Sequence, residues 1–113
     1  MFSDGERRRA YVPLAKVTRY LPCLDNGPEA AAKAAFFVRF GFDPRRPEDL
    51  IVALQRPATE NSIREIWSDE WGLHFEVEGP LLTPDGRAPK TRTSWMQAHE
   101  RMSPPRLITA FPI

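Results

Sequence analysis

Residues 71–95 constrain this chain more than any other stretch. Trp71, Leu73, Phe75 and Val77 alternate with Gly72, His74, Glu76 and Glu78. A period of two places the first set on one face of a strand and the second on the other. Thr83-Pro84-Asp85-Gly86 then reads as a turn, because Pro fixes φ, Asp caps and Gly accepts positive φ. Beyond the turn, Thr91 to Gln97 returns to residues that favour a pleated surface. The stretch is a β-hairpin, and the rest of the chain has to cover its apolar face.

The flanking segments supply that cover. Pro28-Glu29 opens an alanine-rich helix in which Ala32, Phe36 and Phe40 share a face, Phe37 and Val38 add apolar girth, and Gly41 caps the end. Pro47 opens a second helix with Leu50, Ile51 and Leu54 as its stripe, and Pro57 is expected to close it. The period returns to two at Ile63 to Trp67, and Arg106 to Phe111 reads as a last strand ended by Pro112. Helices first and about four hairpin-connected strands after them make an α+β fold, with N-terminal helices packed on one face of an antiparallel sheet. Residues 1–13, with Arg7-Arg8-Arg9, read as a flexible tail, and 14–113 as a single domain.

Composition narrows the function classes. A net charge of +1 gives no global pull toward polyanions. A single cysteine, Cys23, excludes an internal disulfide framework and a cysteine zinc cage, and suits a reducing cytosol. His74 and His99, the two histidines, lie on different elements, so no metal site is expected. No glycine-rich phosphate loop or other cofactor motif is present. With no signal-peptide core and no apolar run of about 18 residues, a cytoplasmic, membrane-free protein is expected.

The charge is unevenly placed. Between Glu60 and Gly86 seven acids face Arg64 alone, whereas from Arg87 to Ile113 five bases face Glu100 alone. Antiparallel pairing would bring acid and base together across the sheet.

Several segments carry a family resemblance. Val77-Glu78-Gly79-Pro80-Leu81, Thr83-Pro84-Asp85-Gly86-Arg87, Arg92-Thr93, Trp95 and Pro105 through Pro112 resemble a small bacterial domain of unknown function, number 6883. Lys16 through Leu21, Lys33-Ala34, Phe36-Phe37 and Gly41-Phe42-Asp43 extend the resemblance over nearly the whole chain. His74 stands where the resemblance would place a lysine-like residue. The order of helices and strands is also similar to compact ribonuclease toxins of the barnase and RelE type, which implies a toxin-like protein that binds and cuts RNA.

Such chemistry needs a base for the 2′-hydroxyl, an acid for the 5′-oxygen and cations for the phosphorane-like charge, without a metal. Glu78 and His74 are the acid–base candidates, about 13 Å apart along one strand. Arg92 and Arg106 can hold phosphate by bidentate bonds, with Lys90 and Lys33 as further cations. Thr109 can orient a water or a phosphate oxygen. Replacing Arg92 by Ala is expected to abolish activity with little loss of melting temperature. Each residue also has a structural reading: Glu78 as a cross-hairpin partner of Arg92, Arg92 and Arg106 as surface charges or sheet-face partners, Lys33 and His74 as solvated groups, and Thr109 for its β-propensity. The alternative function is a non-enzymatic interaction module, such as one half of a two-protein toxin–antitoxin-type system with a small cognate protein.

Overall fold

A computed structural model describes residues 4–15, 17, 35–43, 45–98 and 103–113. Within them α1 (Asp4–Arg8) and α2 (Pro47–Glu60) precede four strands, β1 (Ser62–Ser68), β2 (Gly72–Pro80), β3 (Lys90–Ala98) and β4 (Arg106–Pro112). The strands form one sheet in the order β1-β2-β3-β4, and each neighbouring pair is antiparallel. The fold is α+β, with the helices N-terminal to the sheet. Lys33, Cys23, His99 and the first half of the alanine-rich helix lie outside the described residues.

The inner face of the sheet follows the alternation. Phe75 and Val77 of β2, Thr93 and Trp95 of β3, and Leu107 and Ala110 of β4 are all buried. Phe75 and Trp95 are register partners, and their rings lie nearly parallel with centroids 6.3 Å apart. The Trp95 indole donates from Nε1 to Thr93 Oγ1 at 2.9 Å, so its polar edge is satisfied inside the core. Against this face α2 lays Leu50, Ala53, Leu54, Pro57 and Ala58, the i, i+3, i+4, i+7, i+8 stripe of an amphipathic helix. Pro47 stands at its start, with Glu48 and Asp49 in the first turn where the helix dipole favours acids.

The helix does not stop at Pro57. It continues to Glu60, with Pro57 buried inside it and the Asn61 amide donating to Pro57 O at 3.0 Å. Pro57 forgoes only its own amide bond, and burial on the core face offsets that loss. Arg7 completes this end of the helix. Its Nε donates to Ala58 O at 2.6 Å and its Nη2 to Asn61 O, so one guanidinium satisfies carbonyls that the helix leaves without partners.

The helical segment at 35–39 ends in a Schellman motif. Phe42 N donates to Phe37 O, Gly41 N donates to Val38 O, and Gly41 has φ +103°. Phe36 and Phe37 are buried, but Val38 is 45% exposed, so the apolar girth expected of this segment is one-sided. The turn after β2 docks on the same helix end. Asp85 N donates to Phe40 O, Arg87 Nη2 donates to Arg39 O at 2.7 Å, and the Arg87 guanidinium lies 4.2 Å from the centroid of the Phe40 ring.

Trp71 departs from the alternation. It lies before β2 and is 66% exposed rather than on the inner face. The reason is local: Asp69 Oδ1 accepts from the amides of Trp71 and Gly72, which makes 69–72 a tight turn that points Trp71 outward.

Candidate functional site

The face of the sheet opposite α2 carries the polar set. Register pairs define three rows across it. Glu78 and Arg92 pair, and Arg92 pairs with Phe111. Glu65, Glu76, Ser94 and Thr109 form the middle row. Trp67, His74, Met96 and Arg106 form the third. Lys90 continues the same parity on β3, opposite Pro80, and is exposed. Six of the seven residues singled out from sequence therefore share one face.

An ionic network occupies its centre. Glu76 Oε1 accepts from Arg64 Nη1 at 2.8 Å, and Glu76 Oε2 accepts from Ser94 Oγ at 3.1 Å. Glu78 Oε2 lies 3.0 Å from Arg64 Nε and 3.2 Å from Arg92 Nη2. Arg92 Nε is 3.6 Å from Glu76 Oε1, is buried, and makes no hydrogen bond. The Arg92 guanidinium also lies 5.7 Å from the Phe111 ring centroid. The two carboxylates are largely sheltered from water, at 13% and 21% side-chain exposure, so the pairs are screened less than surface ion pairs.

Arg64 reaches this network because β1 is irregular. The register shifts between Ile63 and Glu65, a bulge that places two residues of β1 against one of β2. A regular strand would send Arg64 and Glu65 to opposite faces.

His74 sits beside the network in a different setting. Its ring stacks on the Trp67 indole, with centroids 5.0 Å apart and an interplanar angle of 5°. Its Nε2 lies 2.8 Å from Asp69 Oδ2, close enough for an ion pair but without the alignment of a regular hydrogen bond. Burial pushes the Asp69 carboxyl up; the His74 ring and the Trp71 and Gly72 amides outweigh it and hold the group below its ordinary value.

Distances along the strands separate the candidates. Arg92 and the position paired with Arg106 are four residues apart on β3, about 13 Å. One phosphate cannot bridge both guanidiniums. His74 and Glu78 are separated by the same span, whereas His74 and Glu76 are about 7 Å apart. Among the described residues, no group of three or more His, Cys, Asp or Glu side chains is arranged to hold a metal ion. No helix among them is long and apolar enough to cross a membrane.

A family model described as Domain of unknown function (DUF6883) matches residues 4–113. The chain belongs to this family. Among solved structures, the DUF6883 chain is similar to a chain of the contact-dependent growth inhibition toxin–immunity protein complex from Klebsiella pneumoniae 342. The TM-score is 0.71 at 21% identity, covering 91% of this chain and 99% of that one. At that identity the likeness is one of fold. No curated protein matches the chain.

The DUF6883 face includes residues that sequence reasoning passed over. Glu76 has the same parity as His74 and Glu78 and could have been read from the alternation alone. Ser94 follows from the parity of Arg92. Arg64 could not be placed without the bulge, and Asp69 looked only like a turn residue.

Proposed function

We propose that this domain is a toxin-type ribonuclease that cleaves RNA by attack of the 2′-hydroxyl, without a metal. The observation that supports this reading is the pairing of Glu76 and His74 two residues apart on β2, beside two guanidiniums on a face that the core does not use. Their separation of about 7 Å fits a base at one end of a phosphodiester and an acid at the other. Glu76 accepts the 2′-hydroxyl proton at a carboxylate oxygen. His74, with Nε2 turned to Asp69, has Nδ1 left to give a proton to the departing 5′-oxygen. Asp69 orients the ring, as third groups do in such constellations.

Arg92 and Arg64 hold the charge that develops on the phosphate. Arg92 Nε makes no hydrogen bond and lies 3.6 Å from Glu76 Oε1, so its guanidinium charge stands beside the proposed base. In this reading Glu78 braces Arg92 and Arg64 rather than taking a proton, and Thr109 lines the row that contains Glu76.

The test is controlled induction of the wild type, Glu76→Gln and His74→Ala in a bacterial host, with total RNA run on a gel. The reading predicts growth arrest and new RNA fragments with the wild type, and neither with the variants. Intact RNA and normal growth with folded wild-type protein would refute it.

A second reading is a protein-interaction module with a cognate partner. Its support is the charge of the network, Glu65, Glu76 and Glu78 against Arg64 and Arg92, which leaves no net positive field for a polyanion. The similarity to a toxin–immunity complex supports a protein partner in either case. RNA binding that weakens steeply with salt favours the first reading; no RNA binding at any salt favours the second.

A further inference from the structure

A cavity of about 230 Å³ opens on the polar face at the Arg106 end, lined by Tyr11, Met96, Ala98, Ser103, Pro104 and Arg106. We propose that it is a nucleobase subsite that takes a purine of the RNA, stacked on Tyr11 and Arg106. The proposal rests on the ribonuclease reading and names the part of the substrate that this end of the site holds.

The walls are held by the backbone. Tyr11 N donates to Pro105 O at 2.9 Å and Leu107 N donates to Tyr11 O at 3.0 Å, a parallel bridge that lays residue 11 along β4. The bridge uses only the Tyr11 main chain, and its side chain is 40% exposed at the cavity. Gln97, itself buried, donates from Nε2 to Ser103 O at 3.2 Å and fixes the opposite wall. Met96 forms a largely buried floor.

The chemistry of this lining selects its occupant. Among the described residues it contains an aromatic ring, an apolar floor and a guanidinium that makes no ion pair, and no acid. A cation finds no partner among them. A lone inorganic anion would meet Arg106 but leave Tyr11 and Met96 uncovered. A planar heterocycle covers both, and guanidinium and phenol planes both stack on bases. Drug-sized ligands fill pockets of about 300–1,000 Å³; this one suits a single base. A purine presents the larger stacking face.

Position completes the argument. His74, Met96 and Arg106 are successive register partners across β2, β3 and β4. The cavity is thus two strand spacings from the proposed acid, roughly 10 Å. A nucleotide whose phosphate lies between Glu76 and His74 can reach it with its own base or that of its neighbour.

The experiment is calorimetric titration of the full chain with inorganic phosphate and with the 3′-monophosphates of adenosine, guanosine, cytidine and uridine. The wild type, Tyr11→Phe, Tyr11→Ala and Arg106→Ala are compared after their melting temperatures are measured. A purine monophosphate is expected to bind about tenfold more tightly than phosphate, the range of one base–aromatic stack. Tyr11→Phe keeps that margin, Tyr11→Ala removes it and leaves phosphate affinity as it was, and Arg106→Ala removes it. Monophosphates that bind no better than phosphate overturn the subsite, as does a margin that survives both Ala variants. RNA cleavage without a base margin overturns the subsite and leaves the ribonuclease reading standing. A base margin with uncut RNA supports the subsite and sinks the nuclease chemistry. Should Tyr11→Ala fail to fold, Arg106→Ala carries the comparison.

Discussion

Arg92 and Glu78 face each other in register across β3 and β2, with Nη2 3.2 Å from Oε2. The pair binds more than it displays, because Arg92 also leans on Glu76 and Arg64 grips both carboxylates from β1. Arg92→Ala therefore removes a shared partner from two sheltered acids. Activity is expected to vanish, but stability is expected to fall as well, by about 1.5–3 kcal/mol, the range for hydrogen bonds to charged groups. Urea unfolding measures it. A melting temperature unchanged from wild type would show that Arg64 alone suffices for both carboxylates.

Glu76 and Glu78 are expected to behave differently. If Glu76 takes the proton, Glu76→Gln lowers cleavage by about 10²-fold or more, the range for loss of an acid–base group. Glu78→Gln keeps the shape and one acceptor for Arg92, and cleavage falls much less. Rates measured on a defined RNA under single-turnover conditions discriminate; equal losses would assign the two carboxylates one common role.

The core prediction concerns α2. Leu54 is fully buried against the sheet. Leu54→Ala should cost about 2–5 kcal/mol by leaving a cavity among side chains that cannot collapse onto it. The check is a lower denaturation midpoint with an unchanged denaturant slope.

Gly41 joins the helix end to the turn after β2. Its φ of +103° is one that side-chain-bearing residues rarely adopt, and a Cβ there would meet Asp85 N and Pro84 Cβ at 3.2 Å. Gly41→Ala should destabilise by about 1 kcal/mol or more. Thermal melts beside Gly86→Ala separate crowding from strain, since nothing surrounds a Cβ at Gly86.

The same turn gives a pH dependence. A hydrogen bond from Thr83 and, against the push of burial, the Arg87 amide and guanidinium hold the Asp85 carboxyl down at about 2, from 3.8. A depressed folded-state value means that Asp85 contributes stability above pH 3.8 and loses it as pH falls through about 2. Asp69 acts in the same direction. Melting temperatures taken from pH 5 to pH 2 should fall less steeply in Asp85→Asn than in the wild type.

What could be read in the chain and what could not divides along physical lines. The inner face was legible because Leu73, Phe75 and Val77 obey one period, and a two-residue period leaves no other face for them. The turn at Thr83 to Gly86 was legible from its residue chemistry; Gly86 has φ +82° and donates to Thr83 O. Trp71 misled because Asp69 rebuilds the local backbone with its side chain, a competition that alternation does not register. Pro57 misled because burial outweighed one missing amide. On the polar face, Arg92 and Glu78 were legible as partners, but Arg64 was hidden by one extra residue in β1. Glu76 was passed over although its parity matched, since nothing local distinguishes a bracing carboxylate from a reacting one.

That extra residue has a consequence away from the site. β1 is an outer strand of the sheet, whereas β4 on the other side is partly occupied by Tyr11. A free outer strand is a template on which another chain can zip, with aggregation as the result. The kink at Arg64 and Glu65 breaks the even spacing such zipping needs, and it sets two charges there. Deleting Glu65 would straighten the strand, set Arg64 in regular register opposite Glu76, and leave a regular edge open to self-assembly into insoluble sheets.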